Sequence, residues 1–157
     1  MISILILALI LYFHWTKPKW ESAVALPSEE SCTISIAFRN EEEHLPQLLK
    51  NFDNQEFINK EQIELIFVDD YSTDGSRKII SDWIKHSHYK VKLLNNGIGK
   101  GKKAALRLAF RNSNSTILGF TDADIRLPSL WVYSMLSQFK SKQADLLIGS
   151  VWCHANA

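Results

Sequence analysis

Two aspartates separated by a single alanine, Asp122-Ala123-Asp124, lie one residue past the apolar run Ile117-Leu118-Gly119-Phe120. If that run is a buried strand, both acids sit just past its carboxyl end, the edge at which open α/β sheets bind ligands. Alternate residues of an extended segment point the same way, so the two carboxylates can converge on one point. Two converging hard oxygen donors suit Mg2+ or Mn2+, ions that commonly complete their coordination with substrate phosphates. An acidic turn capping the next helix explains the same residues, and on this motif alone both readings stand.

A second acidic cluster has the same setting. Ile63-Glu64-Leu65-Ile66-Phe67-Val68 is almost continuously apolar, the pattern of a parallel strand covered on both faces. It stops at Asp69-Asp70-Tyr71-Ser72-Thr73-Asp74-Gly75-Ser76. Turn and capping chemistry accounts for one such cluster. Two strands that both end in paired aspartates are harder to explain that way. A third strand, Val91 to Leu94, opens into Asn95-Asn96-Gly97-Ile98-Gly99-Lys100-Gly101-Lys102-Lys103. Glycines and lysines ahead of a helix can hold an anion with backbone N–H groups and ammonium groups; a flexible basic loop fits equally well. The Gly-Lys-Ser/Thr of a Walker A loop is missing. Three strand ends would thus offer Asp69/Asp70 to a base or ribose, Lys100 to Lys103 to a diphosphate, and Asp122/Asp124 to a metal bridging it. The chemistry suggested is group transfer from an activated nucleotide.

The elements needed to position these groups are legible in order. Thr33 to Phe38 reads as a strand. Asn40 suits a helix N-cap, with Glu41, Glu42 and Glu43 in a first turn whose dipole favours acids, although Pro46 would place the regular start nearer to itself. Leu45, Leu48, Leu49 and Phe52 recur at helical spacing. A helix from Ser76 to His86 carries Ile79, Ile80, Trp83 and Ile84, and another runs from Ala104 to Arg111. Pro128 fits the first turn of a helix reaching Phe139, with Val132, Met135, Leu136 and Phe139 inward. Ala144 to Val151 reads as a last strand. The β-α-β-α-β-α-β-α-β order predicts an α/β fold with a mostly parallel sheet flanked by helices and right-handed crossovers.

Composition narrows the class. The 157 residues are 46% hydrophobic and 22% charged, ordinary for a globular protein. A net charge of +1 without an arginine-rich block gives no support to a nucleic-acid surface. Cys32 and Cys153 lack metal or redox spacing and read as free thiols in a reducing compartment. Ile2 to Phe13 is apolar apart from Ser3 and is followed by Lys17, Lys19 and two tryptophans, Trp15 and Trp20. Positive charge after the run, rather than before it, and aromatic residues at the interface predict a short membrane-anchor helix over residues 1–20 with the rest cytoplasmic. An interfacial helix and a buried core helix are the alternatives. Residues 21–31 read as a linker, and 32–157 as the globular domain.

Four motifs together carry a resemblance. Ile34-Ser35-Ile36-Ala37-Phe38-Arg39-Asn40-Glu41-Glu42, Val68-Asp69-Asp70-Tyr71-Ser72-Thr73-Asp74-Gly75, Gly101-Lys102-Lys103-Ala104-Ala105-Leu106 and Thr121-Asp122-Ala123-Asp124 are similar in order and spacing to family 2 glycosyltransferases of the GT-A fold. The resemblance covers about Cys32 to Trp152. It implies a Rossmann-like GT-A sheet and an inverting transferase using a nucleotide-diphospho-sugar, commonly a UDP-sugar, with Mg2+ or Mn2+. By motif, Ala37, Arg39 and Glu41 lie along the nucleotide pocket. Asp70 matches the aspartate that reads the base, with Lys102 near it. Asp122 and Asp124 match the metal-binding pair, Asp124 being the surest ligand.

Two departures stand out. Ala37 replaces the usual proline. The family's catalytic base sits well downstream of Asp124, and here the only later acid is Asp145, so no catalytic residue is assigned and the base is expected beyond Ala157. The sequence therefore reads as the donor- and metal-binding half of a membrane-associated enzyme, its acceptor unknown and, given the anchor, plausibly lipid-linked. A non-catalytic nucleotide-sugar-binding module or inactive fragment is the alternative. A nucleotidyltransferase ranks third, because the glycine- and arginine-rich loop that class carries after its first strand is absent.

Overall fold

In the computed structural model the described residues are 31–149, apart from Ile98, Lys142 and Ala144. The expected anchor over 1–20 and nearly all of the expected linker lie outside them. Four strands, β1 (Cys32–Phe38), β2 (Ile63–Asp69), β3 (Lys90–Asn95) and β4 (Ile117–Asp122), form one sheet in the order β3-β2-β1-β4. Every pairing is parallel. Four helices connect or follow them: α1 (Leu45–Asp53), α2 (Ser76–Ile84), α3 (Lys102–Asn112) and α4 (Trp131–Ser141). The alternating pattern predicted this layout, since parallel neighbours require crossovers long enough to hold a helix.

The order explains where a site can form. From β1 the chain moves to β2 and then β3 on one side, and afterwards crosses back to lay β4 on the other side of β1. The strand order thus reverses at β1, with β2 on one side of it and β4 on the other, which opens a crevice above the carboxyl ends of β1 and β4. Register aligns those ends. Ala37 pairs with both Val68 and Asp122, and Phe38 and Asn95 both pair with Asp69.

The two faces of the sheet are packed differently. On one, Ile34, Ile36, Leu65 and Phe67 join Leu45, Leu48 and Phe52 of α1, Ile80 of α2, and Val132 and Leu136 of α4. On the other, Ile66 and Val68 meet Ala105 and Ala109 of α3. The alternation of β2 between two apolar faces is the reason it reads as an unbroken apolar run. Alanines at the α3 contact let that helix lie close to the strands, which fixes its N-terminus beside β2. Truncating Phe52, fully buried at the centre of the larger core, would cost about 3–5 kcal/mol.

Three local expectations are corrected. The first helix does not start at Glu41 behind an Asn40 cap. It starts at Leu45, with Pro46 in its first turn, because a proline without an N–H can sit only there. Asn40 instead has a left-handed backbone (φ 55°), and its Oδ1 accepts the Thr73 N–H at 2.8 Å. Pro128 lies outside the last helix, whose first residue, Trp131, donates its N–H to the Pro128 carbonyl at 3.0 Å. Residues 145–149 form no strand. Leu146 and Ile148 there are 76% and 84% exposed, so the apolar residues that suggested a strand find no apolar surface to bury against among the described residues.

Candidate functional site

A cleft of about 230 Å³ opens above the crevice between β1 and β4. It is lined by Ala37, Phe38, Arg39 and Glu41 at the end of β1, Asp70 after β2, Lys102 at the start of α3, and Asp122, Ala123 and Asp124 at the end of β4. All seven residues singled out from sequence motifs, Ala37, Arg39, Glu41, Asp70, Lys102, Asp122 and Asp124, line this one space. Phe38 and Ala123 complete it.

The Asp122-Ala123-Asp124 step shows why the spacing matters. Ala123 is only 3% exposed and faces the core, while the aspartates on either side are exposed. A buried alanine between them turns both carboxylates outward. The segment that follows is tied down from below. Gln55, buried at the end of α1, donates to the Pro128 carbonyl at 2.7 Å and accepts the Val132 N–H at 2.9 Å. The Leu127 N–H donates to Asn51 Oδ1 at 3.2 Å.

Asp122 accepts from the Lys102 ammonium at 2.5 Å. Asp124 has no hydrogen-bond or ion-pair partner among the described residues, and neither does Arg39. The cleft therefore holds four carboxylates against two cations, a balance that repels an anion unless a further cation joins it. Two aspartates with unspent oxygens are a suitable donor set for Mg2+ or Mn2+, whose remaining ligands would be phosphate and water. No group of three or more His, Cys, Asp or Glu side chains among the described residues could hold a metal unaided.

The Asp69–Ser76 cluster divides its labour. Asp69 accepts the Ser72 N–H at 2.8 Å and sits 3.7 Å from Arg77: turn chemistry. Asp74 accepts the Ser76 N–H at 3.0 Å and the Glu42 N–H at 3.1 Å. Although partial desolvation pushes its carboxyl up, hydrogen bonds from Ser76 and Glu42 hold it below the ordinary carboxylate value. Glu42 Oε2 accepts the Gly75 N–H at 2.7 Å, and a Cβ on Gly75 would lie 2.9 Å from that oxygen. The Glu41 N–H donates to Ser76 Oγ at 2.7 Å. These bonds lace the loop after β1 to the loop after β2, and Glu41 is delivered to the cleft by that lacing rather than by a helix.

Asp70 is different from its neighbours. It is buried at 6% exposure. Its carboxylate accepts the Gly101 N–H at 2.9 and 3.0 Å and the Asn96 amide at 2.7 Å. Gly101 has φ 89°, a left-handed conformation that costs glycine little, and directly precedes Lys102. Of the three loop lysines only Lys102 lines the cleft. Lys100 sits 5.6 Å from the Tyr71 ring centre, and Lys103 is exposed. Asn96 was not among the residues expected to matter; its burial could not be read from an Asn-Asn-Gly turn.

An open parallel sheet with an acidic cleft above its strands' carboxyl ends is an α/β domain with its candidate site at the switch point. The sequence model for "Glycosyl transferase family 2" matches residues 33–156, and the chain belongs to that family. It is 30% identical over 87% of its length to the "Probable glycosyltransferase YdaM" of Bacillus subtilis, covering 33% of that protein. It is 32% identical over 61% of its length to an undecaprenyl-phosphate 4-deoxy-4-formamido-L-arabinose transferase of Proteus mirabilis, covering 29% of it. Among solved structures, a mannosyltransferase from Pyrobaculum calidifontis in complex with GDP-Man and Mn2+ superposes with a TM-score of 0.65 at 25% identity, over 83% of this chain and 39% of that one. The chain thus spans about a third of the length of these relatives.

Proposed function

We propose that the cleft binds a nucleotide-diphospho-sugar together with Mg2+ or Mn2+, and that the chain is the donor-binding part of an inverting glycosyltransferase. The observation that carries this reading is the convergence of Asp70, Lys102, Asp122 and Asp124 on one cleft at the β1/β4 switch point. The base would lie against Asp70, whose carboxylate only accepts hydrogen bonds and so favours a base edge with a ring N–H, as in uracil or guanine. UDP is the expected nucleotide. Ala37, Arg39 and Glu41 would line the nucleoside, and Lys102 would face the diphosphate. Asp124 and Asp122 would hold the metal, which when bound would neutralise the departing diphosphate.

Deprotonating an acceptor hydroxyl requires a base. Asp145, exposed and outside the cleft, does not serve. We place the base outside the present chain. A membrane-bound enzyme with a cytoplasmic catalytic domain and a lipid-linked acceptor is the setting we favour, on the apolar segment Ile2 to Phe13 and the Proteus mirabilis relative. Among the described residues no helix is long and apolar enough to cross a membrane; residues 1–20 are not among them.

Calorimetric titration of the full chain with UDP and with GDP, each with and without Mn2+, tests the reading. Binding that requires the metal is expected. A folded chain that binds neither nucleotide with Mn2+ present would overturn it.

A further inference from the structure

Asn96 lies one residue past β3, 2% exposed, outside the four motifs that carry the resemblance. Its Nδ2 donates to Asp70 Oδ1 at 2.7 Å, and its own N–H donates to the Asp69 carbonyl at 2.9 Å. The side-chain orientation is fixed by chemistry: a carboxylate only accepts, so the atom facing it must be the amide nitrogen. The Asn96 Oδ1 is buried and has no hydrogen-bond partner among the described residues. A buried orphan oxygen is a stability cost of about 1–3 kcal/mol. Asn96 is thus a poor choice for packing alone, and its amide N–H is the part that contributes.

We propose that Asn96 is a positioning residue for base recognition, holding the Asp70 carboxylate in the one orientation that leaves Oδ2 available at the cleft. This inference rests on the nucleotide-binding reading above. Oδ1 carries two donors, the Asn96 amide and the Gly101 N–H, whereas Oδ2 carries only the Gly101 N–H. The less-used oxygen has room for a donor from a base. The same carboxylate joins both ends of the loop from Asn96 to Gly101. Gly101 caps α3 and its carbonyl accepts the Ala104 and Ala105 N–H groups at 3.0 and 3.1 Å. Asn96 therefore fixes the reading group, whereas the start of the helix that presents Lys102 is held by the Gly101 carbonyl.

Losing a hydrogen bond to a charged group is expected to weaken binding about 10-fold or more. The loss should be selective. In Asn96→Leu, which is close in size and removes the donor, and in Asn96→Ala, UDP affinity in the presence of Mn2+ should fall by that amount. The preference for UDP over CDP should shrink towards unity, while inorganic pyrophosphate with Mn2+ binds as it does to the unaltered chain. In the 1H–15N spectrum the Gly101 amide proton should move upfield and exchange faster, because its carboxylate acceptor has been released. Equal losses for UDP and pyrophosphate, an unchanged UDP/CDP ratio, or an unmoved Gly101 signal would each overturn the proposal. If the unaltered chain binds no nucleotide, the functional reading fails by itself; the Gly101 signal still decides whether Asn96 holds Asp70.

Discussion

Two acidic loops stand at the ends of the two strands that flank β1 and use their carboxylates in opposite ways. After β2, Asp69 and Asp74 accept backbone N–H groups, and Asp70 anchors the loop leading to α3. After β4, Asp124 has no partner among the described residues and Asp122 meets only an exposed lysine. The first loop spends its charge on building the edge of the sheet. The second keeps its oxygens for something else. Proximity to a strand end does not distinguish scaffold from site; the distinction is whether a carboxylate's lone pairs are already satisfied by nearby donors.

The largest effect that could break this contrast is at Asp124. Asp124→Ala should reduce Mn2+-dependent UDP binding at least 100-fold while leaving the melting temperature within the range of ordinary surface changes, about ±0.5 kcal/mol. A comparable loss of stability would place Asp124 in the scaffold with Asp74. The converse variants belong to the other loop. Ser76 is fully buried and its Oγ accepts the Glu41 N–H, so Ser76→Ala should cost about 1–3 kcal/mol by stranding that donor. Asp74→Asn should lower the melting temperature as well. Thermal denaturation measures both, and UDP affinity below the transition should change little. If either variant abolished binding without destabilising, the lacing would be part of the site itself.

This division was only partly legible in the sequence. Apolar runs ending in paired aspartates located both loops, because strand burial and the polar break that ends it are local properties of the chain. The four motifs located every charged residue of the cleft. What could not be read was which aspartate faces outward, since that depends on donors supplied from far along the chain, as the Asn96 and Gly101 bonds to Asp70 are, 26 and 31 residues away. Asn40 misled for the same reason: a good capping residue was claimed by Thr73 on another loop. The expected strand from Ala144 to Val151 rested on composition, and residues 145–149 show that β-rich composition does not supply a neighbouring strand to pair with.

Alkaline pH should act on the scaffold. Burial pushes the Cys32 thiol up to about 12. Burial, and then the charge of Asp53, also raise the Tyr89 phenol above its ordinary value, its hydroxyl donating to the Phe52 carbonyl at 2.8 Å. Both groups fold in their neutral forms. The stability they contribute is complete below the unfolded-state values, near 8.5 to 9 for a thiol and about 10 for a phenol, and is lost as pH rises towards the raised ones. The melting temperature should therefore hold to about pH 9 and decline above it. Tyr89→Phe should start lower and decline less steeply. A flat profile to pH 11 would mean that neither group is as buried as described.

The smallest effect tests the contact between the start of α3 and the loop after β4. Lys102 and Asp122 are 60% and 50% exposed, so their ion pair contributes little to folding, about 0–1 kcal/mol. Lys102→Gln should leave the melting temperature unchanged. It also frees an Asp122 oxygen that the ammonium otherwise occupies, so Mn2+ alone should bind up to about fivefold more tightly, the equivalent of that energy. With UDP present the sign should reverse, because the cation facing the diphosphate is gone. The gain for Mn2+ alone should fade as ionic strength rises from 0.05 to 0.5 M, on account of screening at an exposed pair. Mn2+ affinity that is unchanged or weaker in Lys102→Gln would show that the lysine does not compete for Asp122, and that the β4 loop is less free to take a ligand than its two exposed carboxylates indicate.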